Sequence, residues 1–97
     1  MAYSKEDIIQ QLKELKPILQ KKYPISELAL FGSYARGDNN ETSDIDILVD
    51  FDGVIGLGFF QLANELEDAL GNKVDLVSKN GIKPHYLPYL EESMIQI

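Results

Sequence analysis

The sequence predicts an α/β (α+β) domain in which a small mixed β-sheet is flanked by helices, mainly on one face. Three observations support this. Apolar residues recur at helical spacing in two segments, short apolar runs typical of strands lie between and after these segments, and 97 residues suffice for one hydrophobic core. We therefore expect a single domain over residues 1–97, with the order helix, strand, strand, helix, strand, helix.

Two amphipathic helices are expected. The first spans about Ser4–Lys22, because a serine N-cap precedes acidic residues and an apolar stripe follows them. Pro17 lies inside this helix and lacks an amide hydrogen, so we expect a kink or a break there. The second helix spans about Leu57–Leu70 and is closed by Gly71-Asn72.

Three strands are expected. Glu27–Phe31 is a short apolar run that stops at Gly32, and Lys73–Val77 is a similar run after the second helix. Asp44–Asp52 alternates with period two, so its residues divide between the two faces of the sheet. Ile45, Ile47, Val49 and Phe51 would share one face, and Asp44, Asp46, Leu48, Asp50 and Asp52 the other.

The C-terminal segment is apolar and aromatic. Pro84 and Pro88 limit where a helix can run in residues 82–97, so we expect a short helix followed by an irregular or extended tail. Its large side chains are expected in the core, with a partner-facing patch as the alternative: Tyr86, Leu87, Tyr89, Leu90, Met94, Ile95 and Ile97. His85 has no second ligand or nucleophile near it in sequence and is expected to be structural or on the surface.

Composition narrows the function. A net charge of −7 repels nucleic acid, so direct binding to long nucleic acid is not expected, whereas a mononucleotide with a divalent metal remains possible. The absence of cysteine excludes disulfides, thiolate metal sites and a cysteine nucleophile, and fits a reducing cytoplasm. The sequence contains no apolar signal core and no membrane-spanning stretch, so we expect a soluble cytoplasmic protein.

A Gly-Ser turn directly follows the first expected strand. Gly32 would let a phosphate approach the backbone closely, and a helix beginning here would direct free amides at an anion. Ser33 could add a hydroxyl donor, and Arg36 could bind a phosphate oxygen or brace a carboxylate. Such a turn by itself is most often only a turn.

Three aspartates make the chemical interpretation stronger. Asp44 and Asp46 are two residues apart on a strand, so they share a face and could grip one hard cation such as Mg²⁺. Asp75 lies in the third strand, which we expect to be central, where a buried carboxylate needs a charge partner. If that strand lies beside the second, all three carboxylates can converge, as two metal ions bridging a triphosphate and a hydroxyl require.

These motifs together resemble a known family. Gly32-Ser33, followed after ten residues by Asp44-Ile45-Asp46, is similar to the signature of the nucleotidyltransferase superfamily that includes DNA polymerase beta and kanamycin nucleotidyltransferase. With Val74-Asp75-Leu76-Val77 and the Gly-Ser-Tyr-Ala-Arg-Gly turn, the chain most resembles the minimal nucleotidyltransferases (MNT). The resemblance covers about residues 28–77.

The resemblance implies an activity, a partner and residue roles. Family members are commonly antitoxins that transfer AMP from ATP to a tyrosine of a HEPN-domain toxin, releasing pyrophosphate. By motif, Gly32 and Ser33 would contact the triphosphate, and Arg36 matches the family's Ala-Arg-Gly turn. Two Mg²⁺ ions are implied: Asp44 and Asp46 would ligate both, and Asp75 would ligate one and help deprotonate the acceptor hydroxyl.

Two other functions remain open. The chain could be a catalytically silent antitoxin that neutralises a toxin by contact alone, although a pure binding protein has no need to gather three carboxylates. It could instead transfer a nucleotide to a small-molecule hydroxyl such as that of an aminoglycoside, but it lacks the extra domain with which larger relatives grip the acceptor. The sequence leaves the acceptor, the nucleotide preference and the oligomeric state open.

Overall fold

In the computed structural model, which describes residues 4–97, four strands form one mixed sheet. They are β1 (Ile25–Phe31), β2 (Ile45–Phe51), β3 (Val74–Ser78) and β4 (Ile95–Gln96). β2 pairs antiparallel with β1 and parallel with β3, and β4 pairs antiparallel with the other edge of β1. The order across the sheet is therefore β3-β2-β1-β4. Residues 1–3 of the predicted domain lie outside the described range.

The two long helices fall where the apolar periodicity predicts them. They are α1 (Lys5–Lys22), α2 (Gly32–Arg36), α3 (Gly58–Leu70) and α4 (Leu87–Glu91), and a 3₁₀ turn spans Lys79–Gly81. Within residues 4–97, no helix is both long enough and apolar enough to cross a membrane.

Helix α1 begins at a reciprocal cap. The Asp7 amide donates to Ser4 Oγ (3.2 Å) and the Ser4 amide donates to Asp7 Oδ2 (3.3 Å), as in a capping box. A kink or a break was expected at Pro17, and the break is wrong, because α1 is one helix that continues through Pro17 to Lys22. Pro17 is exposed on the outer surface, so water can satisfy the carbonyl that the proline ring leaves without a helical donor.

One face of the sheet carries the core, as predicted. Ile45, Ile47 and Val49 of β2 are fully buried there, against apolar side chains of the helices. The helical layer contributes Ile8, Leu12, Leu19, Tyr34, Leu62, Leu66 and Leu70. Asp46, Leu48 and Asp50 alternate with the core residues and point to the opposite face, so the chemistry lies away from the helical layer.

The C-terminal segment has the predicted short helix followed by an extended tail, but not all of its large side chains lie in the core. Tyr86 and Tyr89 are 55% and 72% exposed, so their expected place in the core is wrong, while Ile95 and Ile97 do pack against it. Residues 95–97 pair with β1, and the Ile97 amide donates to the Leu28 carbonyl (2.8 Å). The expected extended tail is thus a fourth strand. His85 is exposed, as predicted, and its ring lies 4.2 Å from that of Tyr86.

Candidate active site

The predicted acids meet at the beginning of two parallel strands. β2 and β3 pair in a register that places Asp46 directly opposite Asp75, with Ile45 opposite Val74. Asp44 immediately precedes β2. The third strand does lie beside the second, which is the condition under which the carboxylates can converge. The sheet brings Asp46 and Asp75 together through backbone pairing alone.

Asp46 is the most strongly perturbed of the three acids. The pKa of its carboxyl is raised from 3.8 to about 6, first by burial and then by the negative charges of Asp75 and Asp44. Arg36 opposes the shift, and a side-chain hydrogen bond with Asp75 adds to it. Asp46 is partly buried, whereas Asp44 and Asp75 are exposed. Asp44 and Asp75 are thus close enough to Asp46 to act on it electrostatically.

Asp75 does not occupy the central strand that we expected. β3 is an edge strand, and the Asp75 side chain is exposed rather than buried. Val74 and Leu76, on either side of Asp75, are apolar because they point to the opposite face of the sheet and pack in the core there. Asp75 therefore needs no charge partner for its own solvation and is open to a ligand from solvent.

Gly32 connects the Gly-Ser turn to the acids. Its φ angle of +73° is one that L-residues with side chains rarely adopt. A Cβ atom there would lie 2.8 Å from Asp46 Cγ and would overlap the carboxylate oxygen Oδ2. Only glycine therefore permits the end of β1 to pass so close to Asp46, and this contact fixes the turn beside the acidic group.

The rest of the turn forms helix α2. The Ser33 carbonyl accepts from the amides of Gly37 (2.9 Å) and Asp38 (3.1 Å), which closes the helix. Arg36 Nε donates to Asp38 Oδ2 (3.1 Å), so Arg36 braces a carboxylate that we did not single out from sequence. This pair is more than half exposed, and such surface pairs stabilise little, so Arg36 can exchange Asp38 for another anion.

The loop that leads to Asp44 is closed by its own polar side chains. Asn40 Oδ1 accepts from the Thr42 amide (2.9 Å) and from Thr42 Oγ1 (2.7 Å). Ser43 Oγ accepts from the Asn40 amide (2.9 Å). The sequence shows this stretch only as polar and rich in turn residues, but Asn followed two residues later by Thr is a typical Asx-turn pattern. The turn holds Asp44 at the start of β2.

Of the four acids predicted on one face, Asp52 follows the end of β2 and the other three separate into two places. Asp46 lies with Asp75 and Asp44, whereas Asp50, near the other end of β2, accepts from the Phe51 amide (3.0 Å). Near Asp50, Lys79 Nζ donates to Glu27 Oε2 (2.8 Å), and this contact lowers the pKa of Glu27. The fully buried Ala29 and Leu48, which are paired across β1 and β2, lie between the two places. Only the first place is adjacent to the Gly-Ser turn.

The donor set fits a hard divalent cation such as Mg²⁺. All three candidates are carboxylates, the ligands that Mg²⁺ prefers, and Asp46 carries the unfavourable repulsion that a cation would relieve. Among residues 4–97, no three His, Cys, Asp or Glu side chains already form a metal-binding group. Asp44, Asp46 and Asp75 would therefore need side-chain adjustment to ligate together, which their exposure permits for Asp44 and Asp75.

The acids lie on an open surface rather than in an enclosed pocket. A groove of about 520 Å³ lies between α1 and α3, and its lining includes Leu15, Ile18, Leu66 and Ala69 but none of the three acids. That groove lies in the helical layer, on the other side of the sheet from Asp46. The groove has a mostly apolar lining, whereas the acids and the Gly-Ser turn lie together on the other face of the sheet.

The shifted pKa of Asp46 predicts a stability effect. A group whose pKa is higher in the folded state stabilises the fold below its ordinary pKa, and this contribution is lost as pH rises through the folded value, here about 6. With chelator present at about pH 8, we expect Asp46→Asn to raise the free energy of unfolding by about 1–2 kcal/mol. The gain should vanish near about pH 4. Urea unfolding at both pH values measures it.

The matched control for this measurement is Asp68→Asn, which removes one exposed charge from α3. We expect it to change the free energy of unfolding by less than about 0.5 kcal/mol at either pH. An Asp46→Asn variant that is no more stable than Asp68→Asn at the higher pH would show that the acids do not repel one another as described.

Comparison with known proteins gives the same assignment as the geometry. The family described as the nucleotidyltransferase domain matches residues 12–97. A Methanocaldococcus jannaschii protein provisionally named a protein adenylyltransferase is 46% identical over 93 residues, covering 94% of this chain and 95% of that protein. Protein adenylyltransferase MntA of Thermococcus cleftensis is 43% identical over 79 residues, with 80% of each chain covered.

Solved structures share the fold. One described as a minimal nucleotidyltransferase superposes with a TM-score of 0.84 at 29% identity, covering 98% of this chain and 97% of the other. A toxin-antitoxin crystal structure with AMP-PNP gives a TM-score of 0.68 at 27% identity, covering 97% of this chain and 72% of the other. The matched region contains both the Gly-Ser turn and all three acids. The chain is therefore an enzyme of the nucleotidyltransferase family, and within it resembles the minimal nucleotidyltransferases.

Proposed function

We propose that this chain is a Mg²⁺-dependent protein adenylyltransferase and the antitoxin of a HEPN-domain toxin. It would transfer AMP from ATP to a tyrosine hydroxyl of that toxin. The observation that carries the proposal is the placement of Asp46 opposite Asp75 and in contact with Gly32. Support for the protein acceptor comes from relatives named protein adenylyltransferase, and support for ATP and a toxin partner from the toxin-antitoxin structure with AMP-PNP.

Each site residue has a role in this proposal. Gly32 and Ser33 contact the triphosphate, and Arg36 leaves Asp38 to bind a phosphate oxygen. Asp44 and Asp46 would hold two Mg²⁺ ions, and Asp75 would hold one of them. When bound, the metal supplies positive charge that neutralises the triphosphate and favours ionisation of the acceptor hydroxyl.

The reaction balances as a simple displacement. The acceptor oxygen forms a bond to the α-phosphorus of ATP. The bond from the α-phosphorus to the oxygen that bridges the α- and β-phosphates breaks, and pyrophosphate leaves with that oxygen. Asp75 receives the proton of the tyrosine hydroxyl, for which its exposure on the edge strand gives direct access. Arg36 and the turn amides orient the phosphates, because phosphoryl transfer depends chiefly on positioning and charge.

We further propose that the partner completes the site. Asp44 and Asp75 lie on an open face. An acceptor that is not aligned there would react over a barrier higher by several kcal/mol, because the advantage of a fixed orientation is lost. A partner that brings its own tyrosine also brings a wall that aligns it.

The proposal includes a cytoplasmic location, with which the lack of cysteine is compatible. An aminoglycoside acceptor is disfavoured, because the exposed Asp44 and Asp75 would leave a small acceptor largely open to solvent.

Binding of ATP is expected to depend on divalent metal. The chain has a net charge of −7 and three adjacent acids, so free triphosphate should be repelled unless Mg²⁺ accompanies it. We expect calorimetry to show at least about 100-fold weaker ATP binding in excess chelator than in Mg²⁺, because three like charges would face the phosphates. Equal affinities under the two conditions would remove the metal from the proposal.

A further inference from the structure

Tyr34 makes a buried connection that the proposed mechanism does not use. It lies in α2, directly after the Gly-Ser turn, and its side chain is fully buried. Its hydroxyl oxygen accepts a hydrogen bond from Asn72 Nδ2 at 3.0 Å. Asn72 follows the Gly71 cap of α3 and precedes β3. The turn that would bind triphosphate is therefore linked to the strand that carries Asp75.

Asn72 also fixes where β3 begins. Its Oδ1 accepts from the Lys73 amide (2.7 Å), and the Lys73 carbonyl in turn accepts from the Ile45 amide (2.9 Å). Glu67 Oε2 accepts from the Val74 amide (3.0 Å). These contacts hold the first residues of β3 against β2 and set the register in which Asp75 faces Asp46.

This anchoring matters because β3 is short and lies at the sheet edge. It has five residues and pairs with β2 on one side only. An edge strand that is anchored at its first residues keeps its register, whereas a loose one can slide or fray. A metal site needs its ligands held within about 0.5 Å once the metal is bound, so the strand that carries Asp75 must keep its place while the exposed side chain adjusts.

We infer that Tyr34 and Asn72 are positioning residues: their hydrogen bond holds Asp75 at a fixed place relative to the Gly32-Ser33 turn, and so sets the affinity for Mg²⁺. This inference rests on the proposed role of Asp75 as a metal ligand. Neither residue needs to contact the metal or the nucleotide. Partners that orient metal ligands commonly change metal affinity by about 10- to 100-fold when they are removed.

The test uses Tyr34→Phe, which removes the hydroxyl and keeps the buried ring. Calorimetric titration of Mg²⁺ in the presence of a nonhydrolysable ATP analogue is expected to show about five- to tenfold weaker binding than in the unmodified protein. The Mg²⁺ concentration for half-maximal transfer should rise by the same factor, with the rate at saturating Mg²⁺ nearly unchanged. Asn72→Ala should show at least the same effect.

A matched control distinguishes positioning from general stability. Tyr23→Phe removes another tyrosine hydrogen bond, from Tyr23 Oη to Glu65 Oε1 (2.7 Å), between the end of α1 and α3. Both Phe variants are expected to lower the thermal midpoint in chelator by about 4–8 °C. Only Tyr34→Phe should weaken Mg²⁺ binding. Equal Mg²⁺ affinities in the two variants would overturn the inference.

The double variant tests whether the two residues act through one bond. If they do, Tyr34→Phe combined with Asn72→Ala should bind Mg²⁺ no more weakly than Asn72→Ala alone. If the double variant instead weakened Mg²⁺ binding by the product of the two single effects, the residues would not act through one bond and the inference would be overturned. Absence of any AMP transfer by the unmodified protein would refute the proposed function instead, and the Mg²⁺ titration would still decide the positioning role.

Discussion

Asp46→Asn is expected to abolish nucleotidyl transfer while leaving the fold intact, with a loss of about 1,000-fold or more in rate. The substitution keeps the size of the side chain but removes the charge that would hold both metal ions. Asp46 is the acid on which the site converges, since it faces Asp75 in the sheet, interacts with Asp44 and touches the Gly-Ser turn. Incorporation of AMP from labelled ATP measures the effect. Asp44→Asn should behave similarly.

Asp50→Asn is the matched control for this loss. Asp50 lies on the same strand and the same face, but near the other end of β2, and the retained amide oxygen can still accept from the Phe51 amide. We expect its transfer rate to stay within about twofold of the unmodified protein, because surface charges away from the site change little. Transfer by Asp46→Asn at the rate of this control would exclude the proposed site.

Gly32→Ala is expected to have the second-largest effect. Alanine at a φ of +73° costs about 1–2 kcal/mol in backbone strain alone. Its Cβ would in addition overlap the Asp46 carboxylate, so that either the turn or the acid must move. Because displacement of about 1 Å at a reacting centre can cost about 100-fold in rate, we expect a loss of that size in AMP transfer.

Gly56→Ala is the control that separates the effect of overlap with the Asp46 carboxylate from the effect of backbone strain. Gly56 also has a positive φ, of +53°, but a Cβ there would meet nothing within 4 Å. We expect Gly56→Ala to lose about 1 kcal/mol of stability, as strain predicts, and to keep its transfer activity. If Gly56→Ala lost as much activity as Gly32→Ala, the contact between the turn and Asp46 would not explain the role of Gly32.

Much of the fold was predictable because its signals are local. The cap at Ser4, the helical stripes and the alternation in β2 each depend on residues that are close in sequence. The strand β4 was not predicted as a strand, because two residues of pairing with β1 depend on a distant partner. The break expected at Pro17 was wrong for the opposite reason: the local cost is real, but the packing of α1 on the sheet outweighs it.

The residues of the candidate site were predictable, but the strand order and the hydrogen bonds that position them were less so. Asp44, Asp46 and the Gly-Ser turn are recognisable from spacing, but the edge position of β3 is a matter of strand order, which spacing does not determine. The Tyr34 to Asn72 hydrogen bond joins two distant segments. Gly71-Asn72 indicated a helix end, and nothing local showed that Asn72 also contacts α2.

The most direct test is to follow the α-phosphate of ATP onto the partner. The protein is mixed with its candidate HEPN toxin, Mg²⁺ and ATP labelled at either the α- or the γ-phosphate. The proposal predicts that α-label appears on the toxin and that γ-label does not, since pyrophosphate leaves. Changing the modified tyrosines of the toxin to phenylalanine should remove the label, and Asp46→Asn should bind the toxin without labelling it. Absence of α-label on the toxin, with the toxin nonetheless neutralised, would contradict the proposal and favour a silent antitoxin that acts by contact alone.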